Sequence, residues 1–501
     1  MAIPIAKKPI GASALTPLSA TSPVAAGCTL TVLPWISLMT VDSAKVANQF
    51  TLPPVEGNAR RLVTGWLLLG LAALLFGGLY TILVVLSRTP FFQEIIPWVD
   101  FFHTALVVHV NLTVLVWFLS FSGVLWSYTG SQRCQRCGWL ALALASLGAA
   151  IITIAPFTGE SHPLMNNYVP VLQNPVFFVG LGVFGAGFLL LVVRSCLTTF
   201  DNDNRSSGES SLRFGLFVAV VASLFALAAL LLSALGIEPG FEGLAYYDRL
   251  FWGSGHIIQF SHTQLMLVAW LWLASVSGAK LRLSPRVALL LFILGLQPVL
   301  MAPVIYLAFD VSSGDHLFWF IQLMKYGGAI AAVPIGAAVT LAVLERWRPA
   351  PGYEIERNAL LFSLLLFGAG GVIGFMISGS TVTVPAHYHG SIVGITLAFM
   401  GLAFHLLPAL GFARVEGRLA RWQPGLYGGG QLLHIVGLAW SGGYDVARKS
   451  TAVERSFEQV AGMGLMGFGG MLSIVGGVLF LLLVYRSMSA GLRARETVKA
   501  S

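Results

Sequence analysis

The chain has 501 residues, 56% hydrophobic and only 10% charged, with a mean hydropathy of +0.81. A soluble globular chain carries about 25% charge, so a soluble fold is excluded. A barrel is excluded too, because barrel strands alternate whereas this chain runs apolar. The formal net charge of +8 falls in short loops, where it sets topology rather than marking a nucleic-acid partner.

Residues 1–58 are low in charge and rich in Ser, Thr and Pro, and read as a disordered or interfacial N-terminal extension. The apolar run from Gly27 to Val41 within it is short for a span, and an extra helix there is the alternative. The pattern of a signal peptide is missing. Residues 59–501 then form one compact helical domain. Twelve apolar stretches are long enough to cross, each needing about 20 residues. They cover 61–87, 102–128, 138–157, 174–197, 213–236, 250–278, 285–309, 317–344, 358–379, 385–412, 425–443 and 461–485. Cys134 and Cys137 form a CxxC, but it sits in a short basic loop with no nearby histidine, an unpromising metal or redox site.

Basic residues alternate between loops. Arg60 and Arg61 precede the first span, and further cations follow the second, fourth, sixth, eighth, tenth and last. The positive-inside rule therefore puts both termini in the cytoplasm. One loop on the other side breaks the rule with Arg448, Lys449 and Arg455. Cations there need another reason, such as an anionic cofactor edge.

His387 and His389 open the tenth span in Pro385-Ala386-His387-Tyr388-His389-Gly390. Residues two apart on a helix lie about 200° apart around the axis and about 3 Å apart along it. One span thus offers an imidazole to each of two sites at one depth, and imidazole binds haem iron and copper. The topology starts the second, sixth and tenth spans on the outer face. His109 and His256 then lie about 10 Å into their spans, and Asp310 closes the seventh on the same side. A polar layer inside lipid is expensive and marks function. His103 reads as a solvated boundary residue, and His162 and His316 as outer-loop residues. His262 lies on another helical face from His256 and suits a hydrogen bond to a neighbouring span. His405 is too far toward the inner side to join. His434 is mid-span, within reach of a cofactor but with nothing to pair with.

These residues resemble subunit I of the haem–copper oxidoreductases, the superfamily of terminal oxygen reductases and bacterial nitric oxide reductases. The likeness covers all twelve spans and implies an all-α membrane bundle of twelve transmembrane helices. Val384-Pro385-Ala386-His387-Tyr388-His389 resembles the family's tenth-helix signature. That resemblance implies His387 as axial ligand of a high-spin haem and His389 as ligand of a low-spin haem. His109-Val110-Asn111-Leu112 resembles the second-helix segment carrying the other low-spin ligand, so His109 would face His389. Trp252-Gly253-Ser254-Gly255-His256 resembles the sixth-helix segment whose histidine binds a second metal, copper or non-haem iron. Gly437-Leu438-Ala439-Trp440 with Val446-Ala447-Arg448-Lys449 resembles the B-type oxidases, which implies that Arg448 and Lys449 meet haem propionates.

Two departures bear on the substrate. The family's two adjacent seventh-helix histidines are replaced by Phe309-Asp310. Asp310 in that place would be a carboxylate ligand, harder than imidazole and favouring iron. The tyrosine that many oxygen reductases carry four residues after the sixth-helix histidine is Phe260 here. Four-electron oxygen reduction uses that group, whereas reduction of two NO to N₂O and water needs two electrons and no such tyrosine. The expectation is therefore a respiratory terminal reductase in a bacterial inner membrane, catalytic through His256, His387 and Asp310, with NO as substrate. Electrons would come from a subunit II with a cupredoxin-like or cytochrome c-like domain, and the gas through membrane lipid. The alternatives are a cytochrome c oxidase-type O₂ reductase, with or without proton pumping, and a twelve-span transporter.

Overall fold

The computed structural model describes residues 49–87, 95, 98, 100–130, 133–199, 207–446 and 456–500. Arg448, Lys449 and the apolar run at 27–41 lie outside them. The described chain is built from long helices: α1 (Gly57–Leu86), α2 (Phe101–Thr129), α3 (Gln135–Phe157), α4 (Pro175–Thr198), α5 (Gly208–Gly236) and α6 (Gly243–Val276). After them come α7 (Pro285–Ala308), α8 (Gly314–Glu345), α9 (Glu354–Phe375) and α10 (Thr383–Ala409). Then α11 spans Arg418–Gly443 and α12 spans Phe457–Ala500. Among the described residues, eleven helices are long and apolar enough to cross a membrane. The other, α11, has the length, with 26 residues, but carries Arg418, Arg421, Gln423, Gln431 and His434 among many glycines.

Several helices start where the sequence offers a cap. Asp100, Asn174, Ser207, Ser284 and Ser313 each accept a hydrogen bond from a backbone N–H in the first turn of α2, α4, α5, α7 and α8. Pro175 and Pro285 follow two of these caps, where the missing N–H costs nothing. Gly328 interrupts α8 for one residue.

Leucine, isoleucine and valine side chains of α4, α5 and α7 are exposed away from the central cavity, as a lipid-facing wall requires. The interior is aromatic: Phe121 of α2 stacks on Phe399 of α10 with ring centroids 4.2 Å apart. α6 and α10 are the central helices, with 89% and 78% of their most apolar windows buried. A polar thread ties them to α9: Trp270 Nε1 donates to Ser363 Oγ (2.7 Å), which donates to Gly394 O (2.6 Å).

The stretch before α1 also packs on the bundle. Phe50 is fully buried, and its N–H donates to Ser275 Oγ at 3.1 Å. Between α3 and α4 the chain makes a small antiparallel hairpin, β1 (His162–Leu164) with β2 (Val171–Gln173), pairing Pro163 with Leu172. The helical spans on either side hide this strand pair from a reading of hydropathy.

Glycines set the closest helix crossings. Gly430 and Gly437 of α11 meet Gly469 and Gly462 of α12, where an added Cβ would stand 2.4–2.9 Å from backbone atoms of the other helix. Small residues let membrane helices approach backbone to backbone. Gly370 of α9 and Gly390 of α10 make a second such contact, with a Cβ on Gly390 only 2.7 Å from Gly370 Cα.

Candidate functional site

His109 on α2, His256 on α6, His387 and His389 on α10 and His434 on α11 line one cavity of about 2310 Å³. Each ring is held in the same way, by a main-chain carbonyl at Nδ1. The partners are Gly77 O for His109 (3.0 Å), Trp252 O for His256 (2.8 Å) and Gly370 O for His387 (2.7 Å). For His389 the partner is Pro385 O (2.8 Å) and for His434 it is Met466 O (2.9 Å). A carbonyl only accepts, so Nδ1 carries the proton in all five rings and Nε2 holds the lone pair. Metal-ligating histidines have this arrangement, which fixes both tautomer and ring orientation.

The glycine crossings explain how some of these carbonyls come within reach. Gly77 sits where α1 presses on Thr113 of α2, and its carbonyl also accepts from Thr81 Oγ1. Gly370 lies at the α9–α10 contact. Met466 lies where α12 touches Gly437 of α11. His256 and His389 instead use the carbonyl four residues earlier on their own helix.

The remaining histidines lack this anchor. His103 pairs with Asp100 at 2.7 Å and His162 with Glu160 at 3.5 Å, both at the surface. His405 stands 4.0 Å from the buried Glu356. His262 lines the cavity and packs on Phe118 at 4.9 Å, but its buried Nε2 has no hydrogen-bond partner. His316, expected in a loop, is instead in the first turn of α8 and 0% exposed, with both ring nitrogens unpartnered. It packs against Tyr306 and Phe320, and Phe320 also touches the ring of His256.

After His109, α2 widens into a π-helical turn over Asn111–Val116, a deformation that recurs at functional sites. Thr113 Oγ1 donates back to His109 O at 2.7 Å. Asn111 Nδ2 donates to Val107 O (2.9 Å) and across to Pro170 O (2.7 Å), tying the β hairpin to α2.

That hairpin brings in a residue with no sequence signal. Tyr168, in its loop, lies with its hydroxyl 2.9 Å from Nδ1 and 3.0 Å from Nε2 of His256. A hydroxyl nearly equidistant from both nitrogens lies over the imidazole face, off the in-plane Nε2 lone pair, while Nδ1 stays committed to Trp252. The Tyr168 ring rests on α6 at Gly255, where a Cβ would be 2.1 Å from Tyr168 Cγ. Asn166 Oδ1 accepts the N–H groups of Tyr168 and Val169, and Asp248 Oδ1 accepts from Asn167. Phe260, one turn beyond His256, is buried among Ile257, Val299 and Phe320. The structure does not bring Asp310 to the cavity: its side chain is exposed beyond the end of α7, and its carbonyl accepts from Ser313 N–H at 2.9 Å.

The family model described as cytochrome c and quinol oxidase polypeptide I matches residues 61–479. The chain belongs to this family. Its subunit I fold is also that of a haem–copper terminal oxidase solved as a dimer by cryo-electron microscopy. The TM-score is 0.63 at 18% identity, covering 87% of this chain and 84% of that one. An uncharacterized protein of Rickettsia prowazekii (strain Madrid E) is 29% identical over 503 residues, 86% of this chain and 97% of its own. An uncharacterized protein of Aquifex aeolicus (strain VF5) is 29% identical over 365 residues, 72% of this chain and 88% of its own.

The chain is thus a multi-pass membrane oxidoreductase of the respiratory terminal type. The family implies haems and a copper or related second metal, and the residues present fit them. The cavity exceeds the about 300–1,000 Å³ of an ordinary ligand pocket. Its polar lining includes five imidazoles poised as neutral donors of a lone pair. Gly78, Gly371, Gly374, Gly467 and Gly470 leave parts of its wall free of side chains.

Proposed function

We propose that this chain is the catalytic subunit of a nitric oxide reductase, converting two NO to N₂O and water. His109 and His389 would hold the low-spin haem, His387 the high-spin haem and His256 the second metal. When bound, these groups supply electron transfer and Lewis-acid activation of the gas. The chain's own part is positional. Carbonyls at Gly77, Pro385, Gly370 and Trp252 hold the four imidazoles in the tautomer a metal needs. α10 carries two of them on opposite sides, so both haem sites are referred to one rigid element. The hydroxyl of Tyr168 steadies the His256 ring by resting within 3.0 Å of both its nitrogens.

The carbonyl-anchored imidazoles around one cavity carry the reading of a two-haem, second-metal reductase. Phe260 supports NO over O₂, because the position four residues after His256 holds a buried phenyl ring without a redox-active hydroxyl. With Asp310 exposed outside the cavity, the carboxylate ligand no longer supports that choice. One observation favours the O₂ reading: Tyr168 places a phenol on His256 from another part of the chain. Arg448 and Lys449 as propionate partners, a donor subunit on the side where α2, α6 and α10 begin, and cytoplasmic termini in a bacterial inner membrane complete the proposal.

The test is the purified complex with its haem and metal content fixed by pyridine haemochrome spectra and metal analysis, then assayed with each gas. N₂O formation from NO, with two haems and one further metal per chain, is the expected result. O₂ turnover without N₂O overturns the NO reading, and absence of haem bands overturns the whole proposal.

A further inference from the structure

His434 has the signature of a ligand but no assigned partner. Its Nδ1–H donates to Met466 O at 2.9 Å, as the Nδ1–H groups of the four proposed ligands donate to carbonyls. Its Nε2 lone pair has no partner among the described residues, and the residue lines the same cavity. The ring centroid lies 4.9 Å from that of His389, at 53°, less than the about 5.4 Å of one helical turn.

The helix packing holds it there. The α11–α12 contact at Gly430 and Gly469 is so close that a Cβ on Gly469 would stand 2.4 Å from His434 N. A Cβ on Gly470 would meet His434 Nδ1 at 3.3 Å. The ring is therefore fixed beside α12 at the cavity wall, against the ring of His389. With each Nδ1 tied to a carbonyl, the two adjacent rings leave two Nε2 lone pairs at one place on the cavity wall for a Lewis acid to take. Only one of them can complete an axial pair with His109 at a time.

We infer that His434 is a reserve axial ligand of the low-spin haem, taking the iron when His389 is absent or released. This rests on the haem reading above. The experiment compares wild type, H389A, H434A and H389A/H434A complexes by low-temperature electron paramagnetic resonance and reduced-minus-oxidised spectra. The expected result is a bis-imidazole low-spin signal in H389A, with altered g values, that vanishes in H389A/H434A. H434A alone keeps the wild-type signal. Loss of the low-spin signal in H389A while the high-spin haem remains overturns the inference, as does its loss in H434A alone. A wild-type complex without any low-spin signal would instead fail the haem reading. If H389A does not accumulate, it is produced with imidazole in the medium, which is then dialysed away. Retention of six-coordination after dialysis supports His434, and its loss overturns it.

Discussion

Replacing Gly374 with alanine sets two effects against each other at one position. Gly374 is the penultimate residue of α9, where alanine is favoured over glycine by less than the about 1 kcal/mol of a helix interior. The fold should therefore gain or hold its stability. The new Cβ, however, would stand 2.6 Å from Nδ1 and 2.8 Å from Cε1 of His387. Ordinary contact begins at 3.4 Å, so the ring must give way by about 0.8 Å. The 2.7 Å bond from its Nδ1 to Gly370 O is broken or bent by such a shift. Loss of an outer hydrogen bond to a ligand histidine costs 10–100-fold in metal affinity or activity, or about 1.4–2.7 kcal/mol. The assay is the CO-difference spectrum per mole of protein, which reports five-coordinate ferrous haem, with the thermal inactivation rate alongside. G374A should lose CO-binding haem while inactivating no faster than wild type. CO binding and turnover within twofold of wild type would refute the reasoning.

Four further outcomes follow from the same geometry. Y168F removes the hydroxyl that rests against the His256 ring and should lower turnover about tenfold, with the haem spectrum unchanged. D310A should leave the ratio of second metal to haem at the wild-type value, because Asp310 is exposed outside the cavity; metal analysis decides it. H316L replaces a fully buried imidazole with no partner on either nitrogen and should slow thermal inactivation, with second-metal content unchanged. R357K should shorten the half-life of the detergent-solubilised protein. Arg357 bridges Ser277 Oγ and O, Arg346 O and Trp347 O with its planar fork, and an ammonium cannot span these acceptors.

Hydropathy alone located the helices, since lipid leaves the backbone no other economical choice. α11 is the exception in composition: its glycines and polar residues serve contact with α12 and the cavity rather than lipid. That His109, His256, His387 and His389 share one layer was legible because their spacing and depth are properties of single helices; their proposed ligand roles come from the family signature. His434 was not legible, because its significance lies in the distance to His389 across a helix interface. Tyr168 had no signal either: it reaches His256 through a strand pair whose register no periodicity announces. His316 looked like a loop residue because the helix begins two residues before it, at a Ser313 cap. Asp310 was judged by its place along α7, which says nothing of which way the chain turns once the helix ends.

The contact between Gly370 and Gly390 also has a mechanical meaning. Turning α10 about its own axis would swing His387 and His389 in opposite senses, because they project from opposite sides. One such rotation would shear the ligand bonds at both proposed haems together. With a Cβ-sized gap already closed between the two backbones, α10 has little room to turn or slide against α9. The two glycines thus act as a brake on the shared axle of the two redox sites, and bulk added at either should disturb both haem spectra at once.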